Sequence, residues 1–148
     1  MRFIAHRGNF EGPSEHENDP KYIVEALGRG FDVEIDVWRV KGKFFLGHDK
    51  PKYEVDISLL NQWGARLWLH CKNFEVLCYF AGPHYHYFWH ETDKYTLTSD
   101  GLIWTYPRNP ARYTNSVLVV EDGDDWKRYI SGATYAICGD DASILEDL

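Results

Sequence analysis

The chain has 148 residues, 44% of them apolar and six of them tryptophan, enough for one sizeable core and too few for two comfortable domains. Sixteen basic against twenty-three acidic residues leave a net charge of −7, which argues against nucleic acid as a partner and means that an anionic ligand needs local positive groups. Three cysteines, Cys71, Cys78 and Cys138, form no Cys-x-x-Cys spacing, so neither a disulfide framework nor a thiolate zinc site is expected. The start, "MRFIAHRG", shows no apolar leader, and no apolar run is long enough to span a bilayer; a cytoplasmic protein without a transmembrane segment is the expectation.

In chain order, "FIAH" reads as a short strand. "DPKYIVEALGRG" reads as a helix with Asp19 as N-cap, Pro20 in the first turn, an Ile23/Ala26/Leu27 stripe, and Gly28 and Gly30 as stops. In "DVEIDVW" Val33, Ile35 and Val37 alternate with Asp32, Glu34 and Asp36, the period-two pattern of a strand with two different faces. Lys41-Gly42-Lys43 marks a turn into "FFLG". "ISLLNQW" predicts a short helix, "RLWLHC" a strand and "NFEVLCYFAG" a further helix. Strand signals follow at "YHYFWH", "YTLTS", "LIWTYP", "SVLVVE" and "TYAIC", with a helix expected in "DDWKRYISG". Repeated strand-helix units argue for a parallel sheet, open or closed into a barrel.

Helices packed on the Val33/Ile35/Val37 face would leave Glu34 and Asp36 on the other face, roughly 6 to 7 Å apart along the backbone. Two carboxylates in a confined space repel and resist desolvation unless a cation lies between them, and a hard divalent metal meets that need. An edge strand whose polar face meets water is the competing reading. His6-Arg7-Gly8 closes the first strand, joining a side chain that exchanges protons near neutrality to one that forks onto phosphate. Glu17-Asn18 precedes the first helix, and Gly47-His48-Asp49 follows the acidic strand.

The order "HRG", "EN", "E-x-D", "HD", within "AHRGNFEGPSEHEN" and "VEIDVWRVKGKFFLGHD", resembles the glycerophosphodiester phosphodiesterase family of phospholipase-C-like barrels, over about the first third of the chain. The resemblance implies His6 and His48 as the acid-base pair, Arg7 and Lys72 as phosphate contacts, and Glu34, Asp36 and Glu17 around a divalent metal, with Asn18 beside metal and substrate. The family's third strand has Glu-x-Lys where this chain has His70-Cys71-Lys72. As a ligand, His70 would move preference from Mg2+ or Ca2+ towards Mn2+ or Zn2+; as a neighbour of the site, it would donate to a carboxylate instead. The alternative for Lys72 is a solvated surface residue.

His84, His86 and His90 share a face if "HYHYFWH" is a strand, but they are too spread to hold one ion. His90 and Glu91, at its carboxyl end, are better placed to reach a site. Trp104 and Tyr106 would line a substrate cleft or pack in the core; Arg108 and Arg112 read as solvated, and Asp140 and Asp141 as caps for "ASILEDL". A full eightfold barrel takes about 250 residues, so the expected fold is an α/β, compressed TIM-type (β/α) barrel lacking several distal outer helices. Asp100-Gly101 reads as a hairpin turn within that distal half. Its bare apolar strand surface is expected to pair with a second copy in a homodimer.

The resemblance implies metal-dependent hydrolysis of a small glycerophosphodiester-like substrate, in which a neighbouring substrate hydroxyl can act as nucleophile and water then opens the cyclic phosphate. A catalytically silent barrel that binds phosphate, and a phospholipase-D-like phosphodiesterase or lyase, are the alternatives.

Overall fold

The computed structural model describes residues 1–82 and 84–148. Its chain runs β1 (Arg2–His6), α1 (Pro20–Gly28), β2 (Asp32–Val40), β3 (Lys43–Leu46), β4 (Tyr53–Val55), α2 (Ile57–Trp63), β5 (Leu67–Cys71) and α3 (Phe74–Phe80). The second half runs β6 (His86–Phe88), β7 (Tyr95–Leu97), β8 (Ile103–Thr105), β9 (Ser116–Val120) and β10 (Ala136–Gly139), and a 3-10 stretch at Ala142–Asp147 follows.

Local chemistry accounts for the helix starts. The side chains of Asp19, Asp56 and Asn73 accept from the backbone N–H groups of Lys21, Ser58 and Val76, so each N-cap satisfies a donor the helix would otherwise strand. Among the described residues, no helix is long and apolar enough to cross a membrane.

The strands form one sheet in the order β4-β3-β2-β1-β10-β9-β8-β7, with β5 joined to β2 and β6 to β5. Pairing is parallel between β1 and both β2 and β10, and along β10–β9, β9–β8, β2–β5 and β5–β6. It is antiparallel along β2–β3, β3–β4 and β7–β8. The sheet curls until its ends approach, where the Ser99 N–H donates to the Tyr87 carbonyl at 2.8 Å.

This is a curled, mixed half-barrel with few helices, and it corrects the expectation of a compressed TIM-type (β/α) barrel. Three antiparallel pairings replace parallel crossovers, because Lys41-Gly42, Asp100-Gly101 and the six residues 47–52 make connections too short to carry a crossover helix. The helix expected in "DDWKRYISG" is a single 3-10 turn at Trp126–Arg128: Asp125 makes no side-chain cap, Gly123 before it has φ +79°, and Trp126 is buried. Among the described residues no α-helix follows β6, β7, β8 or β9.

The sheet's two faces hold two cores. On the convex face Val33, Ile35, Val37, Leu67 and Leu69 pack with Ile23 and Leu27 of α1, Leu60 of α2, and Val76 and Phe80 of α3. On the concave face Ile4, Trp68, Phe88, Trp104, Val117, Val119, Ala136 and Cys138 fill the lower part of the bowl. Phe88 stacks on Trp104 with ring centroids 4.4 Å apart. Glu34 and Asp36 belong to the concave face, above this apolar floor. They are 2% and 0% exposed, which rules out the reading of β2 as an edge strand with its polar face in water.

Candidate active site

Parallel pairing puts the carboxyl ends of β1, β2 and β5 side by side. His6 is in register with Glu34, and Asp36 with His70, so three neighbouring strands present acids and imidazoles at one end of the bowl. β1 pairs only as far as Glu34. Beyond it the Asp36 N–H donates to Asn18 Oδ1 at 3.0 Å, and the Gly47 N–H donates to the Asp36 carbonyl at 3.1 Å. Two loops are thereby fixed to the acidic strand.

Both loops use the left-handed backbone region. Arg7 (φ +54°) and Asn18 (φ +62°) occupy it, and the Asn18 N–H donates to the Arg7 carbonyl at 3.0 Å. Such conformations cost about 1–3 kcal/mol each in non-glycine residues and concentrate where function requires them. Gly47 precedes His48 at φ +155°, and a Cβ there would stand 2.1 Å from the Lys50 carbonyl oxygen.

Asp36 lies at the centre. Its Oδ2 accepts from Asn18 Nδ2 at 3.0 Å, pairs with His48 Nδ1 at 3.3 Å and lies 3.3 Å from Arg7 Nε. Its Oδ1 is 3.0 Å from His70 Nδ1 and 3.7 Å from Lys72 Nζ, yet it is off the line of a hydrogen bond and has no donor. Burial alone would raise this carboxyl; His48, His70 and Arg7 outweigh it and hold Asp36 well below the usual range.

Glu34 titrates in the opposite sense. Burial first, and then the Asp36 charge, raise it against the opposing effects of His6, His70 and Arg7. Glu34 Oε2 accepts from the Arg7 N–H at 3.2 Å and lies 4.0 Å from His6 Nε2, while Oε1 faces His70 Nδ1 at 3.7 Å. One acid pushed up beside one pushed down is the response of a buried carboxylate pair that lacks a full complement of positive charge.

Glu34, Asp36 and His70 each offer one ligand atom within 4.8 Å of the others. Glu17 stands outside that trio, since its oxygens take Arg7 Nη1 at 3.1 Å and Asn9 Nδ2 at 2.9 Å. Glu17 acts on the site by holding Arg7.

The two histidines are oriented alike. His6 Nδ1 is 3.0 Å from Asp140 Oδ1 and His48 Nδ1 is 3.3 Å from Asp36 Oδ2, so in both rings a carboxylate fixes Nδ1, while His48 Nε2 lies 3.5 Å from Arg7 Nη2 and His6 Nε2 4.0 Å from Glu34 Oε2. Burial would lower His6, but the bond to Asp140 and the nearby Glu34 charge raise it above its ordinary value. Asp140 is lowered: its own burial opposes ionisation and is outweighed by His6 and then by Asn9, whose Nδ2 donates at 2.8 Å.

Asp140 and Asn9 are members of this cluster that sequence reasoning missed. Asp141 does cap the following turn, accepting from the Ser143 N–H, whereas Asp140 turns back into the bowl. The available signal was its place at the end of a strand, the same signal that singled out His6 and His90.

The site opens into a cavity of about 240 Å3, whose polar wall includes His6, Arg7, Glu34, His48 and His70. Phe88, stacked on His70 with ring centroids 5.0 Å apart, also lines the cavity, with Trp104, Tyr106, His90 and Glu91. Trp104 is both floor and core, 3% exposed. The His90 carbonyl accepts from His70 Nε2 at 2.8 Å, its ring nitrogens are buried without partners, and burial and then His70 lower its pKa. His86 lies away from the cavity, stacked on Trp68 and bonded to Asp100. Arg108 pairs with Asp124 and Glu121, and Arg112 donates to the Arg128 carbonyl.

No family model, curated protein or solved structure matches this chain.

Proposed function

We propose that the chain is a divalent-metal-dependent phosphodiesterase acting on small glycerophosphodiester-like substrates. The observation that carries this reading is the convergence of three imidazoles, a guanidinium and an ammonium on one buried carboxylate pair beside a cavity. The motif order around His6, Glu34, Asp36 and His48 supports the same chemistry.

Two carboxylates alone would repel a phosphodiester. The donors fit a cation, since Asp36 Oδ1 is buried with no hydrogen-bond donor and Glu34 and His70 turn an atom towards it. Glu34, Asp36 and His70 would hold the metal, which when bound supplies positive charge to a phosphoryl oxygen. Arg7 and Lys72 provide fixed charge beside it, where stabilisation of the transition state is strongest. His6 and His48 exchange protons through Nε2, one with the attacking hydroxyl and the other with the departing oxygen, while Asp140 and Asp36 keep each Nδ1 engaged. The aromatic side of the cavity excludes water from the alcohol portion of the substrate.

The test is hydrolysis of bis(p-nitrophenyl) phosphate and glycerophosphocholine by metal-stripped protein, titrated separately with Mg2+, Ca2+, Mn2+ and Zn2+. Metal-dependent turnover lost in His6→Ala and Glu34→Ala is the expected result. Folded protein that binds phosphate esters without cleaving them with any ion would overturn it in favour of a binding module. Cleavage confined to lysophospholipids, with release of a cyclic phosphate, would move the protein to phospholipase-D-like lyase chemistry.

A further inference from the structure

We infer that the site takes its metal through a nitrogen, with His70 Nδ1, Asp36 Oδ1 and Glu34 Oε1 as a three-donor face selecting Zn2+ and its borderline neighbours over Mg2+ and Ca2+. This deepens the function proposed above and rests on its premise that the site accepts a divalent cation.

The first argument is the His70 tautomer. The His90 carbonyl can only accept, so the 2.8 Å contact requires the proton on His70 Nε2. In the neutral ring Nδ1 then carries a lone pair, aimed between Asp36 Oδ1 at 3.0 Å and Glu34 Oε1 at 3.7 Å. A lone pair facing two carboxylate oxygens is repulsive until a proton or a metal cation enters between them. An imidazole that donates its remote N–H to a backbone carbonyl also has the outer support usual for a metal-binding histidine.

The second argument is the division of labour within each carboxylate. Asp36 Oδ2 is committed to Asn18 and His48, and Glu34 Oε2 to the Arg7 N–H. Each acid therefore has one oxygen to give, and bidentate binding would break those bonds. Ca2+ collects about six to eight oxygens, often with bidentate carboxylates, and Mg2+ favours an all-oxygen octahedron. Three protein donors, one an imidazole, with the cavity supplying an open position, is the donor set of a catalytic zinc site. Bond lengths of about 2.0–2.2 Å put adjacent donors about 3 to 3.5 Å apart, close to the 3.0 and 3.7 Å that separate His70 Nδ1 from the two acids. Affinity for nitrogen-containing sites rises from Mn2+ towards Zn2+.

The experiment is calorimetric titration of the metal-stripped full chain with Zn2+, Mn2+, Mg2+ and Ca2+, repeated for His70→Gln and His70→Glu, with circular dichroism to verify folding. Zn2+ should bind at least about 100-fold more tightly than Mg2+ or Ca2+, and His70→Gln should weaken Zn2+ by about 10- to 100-fold. His70→Glu should shift preference back towards Mg2+ and Ca2+. X-ray absorption of the zinc-loaded wild type, which needs no variant, should show one imidazole nitrogen beside oxygen donors. Equal affinity for all four ions, or a zinc shell without imidazole, would overturn the inference. Phosphodiester hydrolysis with Mg2+ and an unaltered His70→Gln would sink this inference and leave the proposed function standing. Tight zinc binding through His70 without hydrolysis would do the reverse.

Discussion

His6 Nδ1 meets Asp140 Oδ1 at 3.0 Å although 134 residues separate them, because β1 and β10 pair in parallel and both side chains leave the carboxyl ends of their strands. The Asp140 side chain bonds to His6 and Asn9, and through the first it positions the imidazole. Replacing Asp140 with asparagine should lower kcat/KM by about 10- to 100-fold, the usual cost of removing such a supporting partner. His6→Ala should lose about 10²- to 10⁴-fold. Steady-state kinetics on the two variants, with circular dichroism to confirm folding, decides between positioning and a purely structural role.

The same pair predicts a stability window in metal-free protein. His6 is raised above 6.5, so its contribution is complete below that value and is lost as pH rises through the raised folded pKa. Asp140 is lowered below 3.8, so its contribution is present above that value and is lost as pH falls through the depressed folded pKa. Asp140→Asn should therefore destabilise most at about pH 5–6 and much less at about pH 9. Urea midpoints of both proteins with chelator present test this, and a gap unchanged at the higher pH would contradict it.

Thiol reactivity should separate the three cysteines. Burial pushes Cys71 up to about 12 and raises Cys138 well above its ordinary value, whereas Cys78 is exposed on α3. Ellman's reagent at pH 8 should find one reactive thiol in the native protein and three after unfolding. Two or more fast native thiols would contradict the packing of β5 or β10.

Gly47→Ala should disturb the site through the backbone. The added methyl would meet the Lys50 carbonyl oxygen at 2.1 Å, so the turn carrying His48 has to move. A loss of about 1–3 kcal/mol in stability is expected. A fall in kcat larger than that of a surface control such as Gly101→Ala should accompany it, since a displacement of about 1 Å can cost 10²-fold. Parallel denaturation and kinetic measurements test both.

The first half of the fold was legible because local signals agreed there. Asp19 and Pro20 mark the start of α1, and the alternation from Val33 to Val37 describes β2 with its faces correctly assigned. The grouping of His6, Glu34, Asp36 and His70 follows from strand ends in register, and the loop carrying His48 is tied to it by the Gly47 N–H on the Asp36 carbonyl. The distal half was less legible. Its strands are three to five residues long, so a period of two has little room to declare itself, and Trp126 looks helical while serving as a buried plug. Asp140 was hidden because aspartates before a turn are ordinary caps, a role its neighbour Asp141 fills.

The parallel pairing of β1 with β10 also has a temporal consequence. A nascent chain that has emerged only as far as residue 135 holds His6 without its carboxylate partner and β1 without one of its neighbours. A growing chain of that length carries most of the cluster's charged residues but not the strand that closes it. The His6–Asp140 contact forms only once Asp140 has cleared the exit tunnel and β10 has zipped between β1 and β9.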